Sequence, residues 1–131
     1  MRTVTVRDVF SHDEGTWDIT RIRSYIRTHP GKLPAITLPM DSPDTRALLE
    51  HVRTRYAWEQ ARVDSLTDKE LREPLLAVIL SRNGEVLFID GTHRLLRLDQ
   101  DGAPSFRVRV IPAALADKFR VAIELKPQQE K

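Results

Sequence analysis

Between Pro74 and Pro112 the chain runs as two apolar stretches of strand length joined by an Asn-Gly turn, then an Asp-Gly break, a leucine-bearing helix, a glycine and an alternating strand. This stretch constrains the fold most, because each change of periodicity in it selects one kind of secondary structure. Leu75 to Leu80 and Val86 to Ile89 are short apolar runs bounded by turn residues, which suits strands. Ser81-Arg82-Asn83-Gly84-Glu85 supplies Asn-Gly, the pair that accepts the positive φ angles of a tight hairpin. Asp90-Gly91-Thr92 ends the second strand, Leu95, Leu96 and Leu98 begin a helix, Gly102 fits its C-terminus, and Phe106, Val108 and Val110 alternate as a further strand. The spacing predicts an α+β fold: a small mixed sheet with a β-hairpin over about 75–89, a strand-turn-helix unit over 89–100, and flanking helices.

The remaining segments fill out that frame. Thr3-Val4-Thr5-Val6 alternates as a strand, and Ser11 to Thr16 is polar enough for a loop. Ile19, Ile22, Tyr25 and Ile26 fall at helical spacing, with Asp18 or Thr16 as cap and His29-Pro30-Gly31 as terminator. Leu33 to Leu38, flanked by Pro34 and Pro39, suits an edge strand. Ser42-Pro43-Asp44 opens a helix striped by Leu48, Leu49, Val52 and Tyr56, whose other face interleaves Arg46, Arg53, Arg55 and Arg62 with Glu50 and Glu59 and is expected to be solvated. Thr67 and Glu70 have the spacing of a capping box, and Ala113 to Leu125 predicts a last helix. Trp17 and Trp58 are expected as core or interface anchors, because neither lies in a basic aromatic stripe.

Composition narrows the chemistry. At 131 residues and 40% hydrophobic the chain makes one domain with a small core. It has no cysteine, so disulfides, zinc-thiolate sites and thiol catalysis are excluded. Its 21 basic and 19 acidic side chains leave a net charge of +2, which permits an anionic ligand without demanding one. No run approaches a membrane span and the N-terminus lacks the apolar core of a signal peptide, so the expectation is a cytoplasmic protein with no membrane partner.

One constellation carries chemistry. Ile89-Asp90-Gly91-Thr92-His93-Arg94 sits where a strand turns into a helix, so unpaired backbone N–H groups should point out of the helix N-terminus. Gly91 lets the backbone approach a phosphate, Thr92 offers a hydroxyl, and His93 and Arg94 add a switchable and a permanent positive charge. The same residues have a plain structural reading, in which Asp90 caps the helix, Gly91 satisfies the turn, and His93 and Arg94 are exposed. No Walker loop, dinucleotide glycine triplet or paired zinc-binding histidines decides between them.

Taken in order, Pro74 to Leu80, Asn83 to Ile89, Asp90-Gly91-Thr92-His93-Arg94-Leu95, Gly102 and the strand after it resemble the core of the ParB/sulfiredoxin-like superfamily. The resemblance covers roughly residues 74 to 112, about a third of the chain, and implies a small fold whose Asp-Gly-x-His-Arg turn holds nucleotide phosphates. The family includes partition proteins that bind and hydrolyse CTP, sulfiredoxins that use ATP, free-serine kinases, and chains labelled nuclease. Thr92 stands where sulfiredoxins carry their cysteine, which removes that branch. Partition proteins carry an Arg-Arg form of the motif and a following helix-turn-helix domain, for which no room is expected after Leu125. The free-serine kinase type is nearest.

By that resemblance residues 1–125 form a single domain with a helical insertion at about 40–73, followed by a polar tail, 126–131. Asp90, Gly91, Thr92, His93 and Arg94 would bind a nucleoside di- or triphosphate (ATP, ADP or CTP) with Mg²⁺. Glu14, Asp13 and His93 are the candidate catalytic residues, the early acid matching by position the one that activates the acceptor hydroxyl in the kinase branch. The implied activity is phosphoryl transfer or nucleotide hydrolysis. The alternatives are a non-catalytic module binding nucleic acid or protein through its basic helix or through Arg107 and Arg109, and, third, a ParB-like nuclease.

Overall fold

A computed structural model describes residues 9–12, 14–55 and 58–121. The chain folds as a small α+β domain around a four-stranded mixed sheet. Its strands are β3 (Ala35–Pro39), β4 (Leu75–Ile79), β5 (Val86–Asp90) and β6 (Ser105–Ile111), in the order β3-β6-β4-β5. β4 and β6 run parallel in the middle, and each has an antiparallel edge neighbour. The expected hairpin is β4–β5, and the expected edge strand is β3.

β4 shows why its sequence does not alternate. Leu75 and Ala77 face a cluster with Leu49 and Val52 of α2 (Pro43–Arg55) and Leu95 and Leu96 of α5 (Thr92–Gln100). Leu76 and Val78 face another cluster with Trp17, Ile19 and Ile22. An inner strand covered on both sides needs apolar residues at every position. The sheet is therefore sandwiched, with α2 and α5 on one face and α1 (Ile19–Thr28) and α6 (Ala113–Lys118) on the other.

Local signals set the helix starts. The Asp18 carboxylate accepts from the Arg21 N–H at 3.1 Å and caps α1, and the Ser42 hydroxyl accepts from the Thr45 N–H at 3.1 Å ahead of α2. Between α2 and β4 lie two short helices, α3 (Gln60–Asp64) and α4 (Asp68–Leu71), the latter opened by the complete Thr67–Glu70 capping box. Within 40–73 the described residues form α2, α3 and α4, and Val63 and Trp58 join the core on the α5 side.

Three expectations need correction. The segment from Ser11 to Thr16 is not a loop: it belongs to a hairpin of β1 (Val9–His12) and β2 (Gly15–Asp18), in which Phe10 pairs with Trp17. The apolar anchor is Trp17, fully buried, with the Arg120 guanidinium 4.7 Å over its ring. The last helix stops at Lys118 rather than running to Leu125, because Phe119 to Val121 turns to pair with β2: the Asp18 N–H donates to the Phe119 carbonyl at 2.9 Å and the Val121 N–H to the Thr16 carbonyl at 2.8 Å. The basic face of α2 is not simply solvated, since Arg46 and Arg53 each donate to Asp99 of α5 at 2.7 Å. The expected strand Thr3–Val6, Asp13, Tyr56 and the chain beyond Val121 lie outside the described residues.

Candidate functional site

The Asp90–Arg94 turn is shaped by a local irregularity in β5. Leu76 pairs with Asp90 but Ala77 pairs with Phe88, so Ile89 is an extra residue at the strand's end. Such a bulge re-aims the side chains beside it. Asp90 is turned toward α1, where its Oδ2 accepts from Arg23 at 2.7 Å, and the same oxygen accepts from Arg94 at 2.8 Å.

Gly91 follows at φ 105°, a conformation that disfavours any side chain. A Cβ here would also lie 2.6 Å from the Leu75 Cγ. Gly91 is the N-cap of α5 and offers no side-chain acceptor, so the N–H groups of Thr92, His93 and Arg94 have no partner within the helix. Leu95 and Leu96 are buried to 1% and 0% exposure and fix the direction in which that end points. Asp90 therefore does not cap the helix, contrary to the plain structural reading; its carboxylate is held by two guanidiniums.

Arg94 is buried as well, at 7% exposure, and not an exposed side chain of the turn. Its Nη1 donates to the carbonyls of Glu73 and Pro74 at 3.0 and 3.1 Å, while Nη2 holds Asp90. These bonds clamp the start of α5 to the residues that lead into β4.

A cleft of about 270 Å³ opens over the turn, lined on its floor by Asp90 to Arg94. Phe10, Ile19 and Arg23 form one wall, and Arg62, Leu66 and Glu70, from the stretch spanning α3 and α4, form another. Sequence reasoning missed Arg23, Arg62 and Glu70 as site residues. The capping-box spacing marked Glu70 only as a helix start, and nothing local marks the two arginines, which arrive from elements distant in sequence.

The charges lining the cleft are matched: Arg23, Arg62 and Arg94 against Glu70, Glu73 and Asp90. Arg62 lies 3.6 Å from Glu70, and the side chains of Arg62 and Arg23 are 48% and 45% exposed, so both can change partners at little cost. The Thr67 backbone N–H, donating to Glu70, holds that carboxyl below its ordinary pKa, with Arg62 adding to the effect. Burial pushes the His93 imidazole below its ordinary value and Arg62 pushes the same way, against an opposing Glu59, which favours the uncharged ring.

Glu14 is not brought to this turn. Arg82, in the β4–β5 hairpin loop, grips its carboxylate at 3.2 and 2.5 Å, whereas Asp90 lies at the other end of β5. Glu14 is not among the residues that line the cleft. The basic surfaces also have internal partners: Arg107 donates to the Arg72 carbonyl and Arg109 to the Leu33 carbonyl, besides Arg46 and Arg53 on Asp99. Among the described residues no group of three or more histidine or acidic side chains is placed to hold a metal, and no helix is long and apolar enough to cross a membrane. No family model matches the sequence, and neither a curated protein nor a solved structure matches the chain.

Proposed function

We propose that the chain is a ParB/sulfiredoxin-like domain that binds the phosphates of a nucleoside di- or triphosphate at the start of α5. The observation that carries this reading is the open first turn of α5: three amides without helical acceptors, behind a glycine that allows close approach, facing a cleft with two exposed arginines. The amides of Thr92, His93 and Arg94 donate to phosphate oxygens, and the Thr92 hydroxyl adds a further donor. Arg62 and Arg23 exchange Glu70 and Asp90 for phosphate oxygens, which sets two guanidiniums directly on the incoming anion while Arg94 keeps Asp90 paired. Arg94 contributes by holding the turn in shape.

Mg²⁺ fits this cleft poorly as a protein-held ion, because the nearby carboxylates are engaged by arginines and do not converge. It enters, on this reading, as the counter-ion of the nucleotide, and no step is routed through it. For phosphoryl transfer or hydrolysis the side chain best placed to accept a proton is Glu73, which lines the cleft at 58% exposure and, among the described residues, has one ion-pair contact, a long 3.9 Å one to Arg94. The second reading is a nucleotide-binding module without turnover, favoured by the engagement of Glu14 with Arg82 and its absence from the cleft lining.

The test is calorimetry and thermal shift with ATP, ADP, CTP and GTP, with and without Mg²⁺. One nucleotide should raise the melting temperature by several degrees, and Arg62→Gln should remove most of that shift. A flat response to all four nucleotides refutes the reading. Product formation by the stabilising nucleotide separates the catalytic form from the binding-only form.

A further inference from the structure

A second concavity, of about 360 Å³, shares with the first only Arg23, Glu73, Asp90 and Arg94. Its own residues are Ile26, Arg27, Pro74, Leu76 and Arg109. Unlike the first, it is not charge-matched, for four guanidiniums line it against two carboxylates. Asp90 is committed to Arg23 and Arg94, and Glu73 lies nearest to Arg94. Arg27 and Arg109 are left with neutral partners, the Ser24 hydroxyl and the Leu33 carbonyl, and neither has a carboxylate partner among the described residues. Two uncompensated positive charges therefore face one cavity, beside apolar surface from Ile26, Pro74 and Leu76.

The rest of the lining narrows the ligand. Arg23, Ile26 and Arg27 come from the later turns of α1, whose carbonyl end repels anions, so recognition falls to the guanidiniums and not to backbone amides. A guanidinium is a planar fork that matches a carboxylate in two parallel hydrogen bonds. No aromatic residue lines the cleft among the described residues, so a nucleobase would find no stacking surface there. Two unmatched charges and an apolar floor fit two carboxylates joined by a short carbon chain. We propose that this second cleft binds a small aliphatic dicarboxylate, its carboxylates on Arg27 and Arg109 and its methylenes against Ile26, Pro74 and Leu76.

The experiment is an NMR titration of the full chain, without nucleotide, using glutarate, butyrate and inorganic phosphate at one fixed ionic strength. Because the signals read are those of Arg27, Arg109 and Leu76, none of which lines the first cleft, the result is independent of whether the first cleft binds phosphates. Glutarate should give saturable shifts at the Arg27 and Arg109 side chains and at the Leu76 amide, with butyrate and phosphate binding more weakly. Arg109 also ties Leu33 in place, so the exposed Arg27 carries the mutational arm. Arg27→Gln should weaken glutarate about tenfold, the order expected for one charge-assisted contact, and Arg62→Gln, confined to the first cleft, should leave it unchanged. Unsaturable shifts, phosphate moving the Arg27 and Arg109 signals at as low a concentration as glutarate, or an Arg27→Gln variant that binds glutarate normally would each overturn the proposal.

Discussion

Arg94 bonds the Asp90 carboxylate four residues earlier at 2.8 Å while its other terminal nitrogen holds the Glu73 and Pro74 carbonyls. One buried side chain thus joins the end of β5, the first turn of α5 and the approach to β4. A guanidinium suits this place because it offers several donors in a fixed plane, which a lysine ammonium does not. Arg94→Ala would leave Asp90 with only Arg23 and two carbonyls without this donor. The expected loss is ~3–5 kcal/mol, the range for breaking a buried pair by removing one partner, with Arg94→Lys recovering only part of it. Urea unfolding measures both. Arg62→Ala, at an exposed pair, should cost ~0–1 kcal/mol while weakening phosphate ligands, so the two arginines separate into a structural and a binding role.

Gly91 makes a second sharp prediction. A side chain there meets both the positive φ of 105° and the Leu75 side chain at 2.6 Å. Gly102 has φ 77° with open space around it. Gly91→Ala should therefore destabilise by ~2–4 kcal/mol, from backbone strain plus overpacking, against ~1 kcal/mol for Gly102→Ala. Equal losses in denaturant unfolding would contradict the close packing of the turn on β4.

The pH response of His93 has a defined sign. Its folded pKa lies below the ordinary histidine value of about 6.5, mainly through burial, so the unfolded chain binds more protons between the two values. Stability should rise with pH through that window and be fully recovered above the unfolded value; lowering the pH through the window costs stability. His93→Gln should flatten the melting-temperature profile below neutrality. A bound phosphate should raise the His93 pKa, which proton NMR of the imidazole can follow with and without nucleotide.

Asp99 receives both Arg46 and Arg53, and the Arg46 hydrogen bond is the main cause of its lowered pKa. The stabilisation is present above the unfolded carboxyl value of about 3.9 and is lost as pH falls through the lower folded value. Asp99→Asn should consequently lower the melting temperature at pH 7 and make little difference in strong acid. A deficit that persists unchanged in acid would mean that the carboxylate charge is not what joins α2 to α5.

Glu14, expected from the sequence, and Glu73, which lines the cleft, can be told apart as proton acceptors. Glu14 is engaged by Arg82 at the far end of β5, and Glu14→Gln should leave nucleotide affinity and any turnover essentially unchanged. Glu73→Gln should preserve binding and reduce turnover by ~10²-fold or more. Steady-state rates with the stabilising nucleotide, set beside calorimetric affinities, decide between them.

Much of the local structure was legible in the residues. Asn83-Gly84 marked the β4–β5 hairpin, Ser42 and Thr67 marked helix starts, Leu33 to Leu38 with its flanking prolines marked an edge strand that forms over Ala35–Pro39, and Gly91 stood at the strand-helix turn. Each of these depends on near neighbours, through turn dihedrals and capping bonds that a few residues settle among themselves. The β1–β2 hairpin escaped because its short strands take their anchor from the burial of Trp17, and the end of α6 escaped because its continuation pairs with β2 instead. The partners of Asp90 and Arg94, the arrival of Arg23 and Arg62 at the cleft, and the engagement of Glu14 by Arg82 are long-range facts. Sequence chemistry determined that a helix N-terminus would follow Asp90-Gly91. Only the tertiary fold decided which charges surround it, because ion pairs such as Arg23 with Asp90 join positions 67 residues apart whose meeting is set by how α1 packs on the sheet.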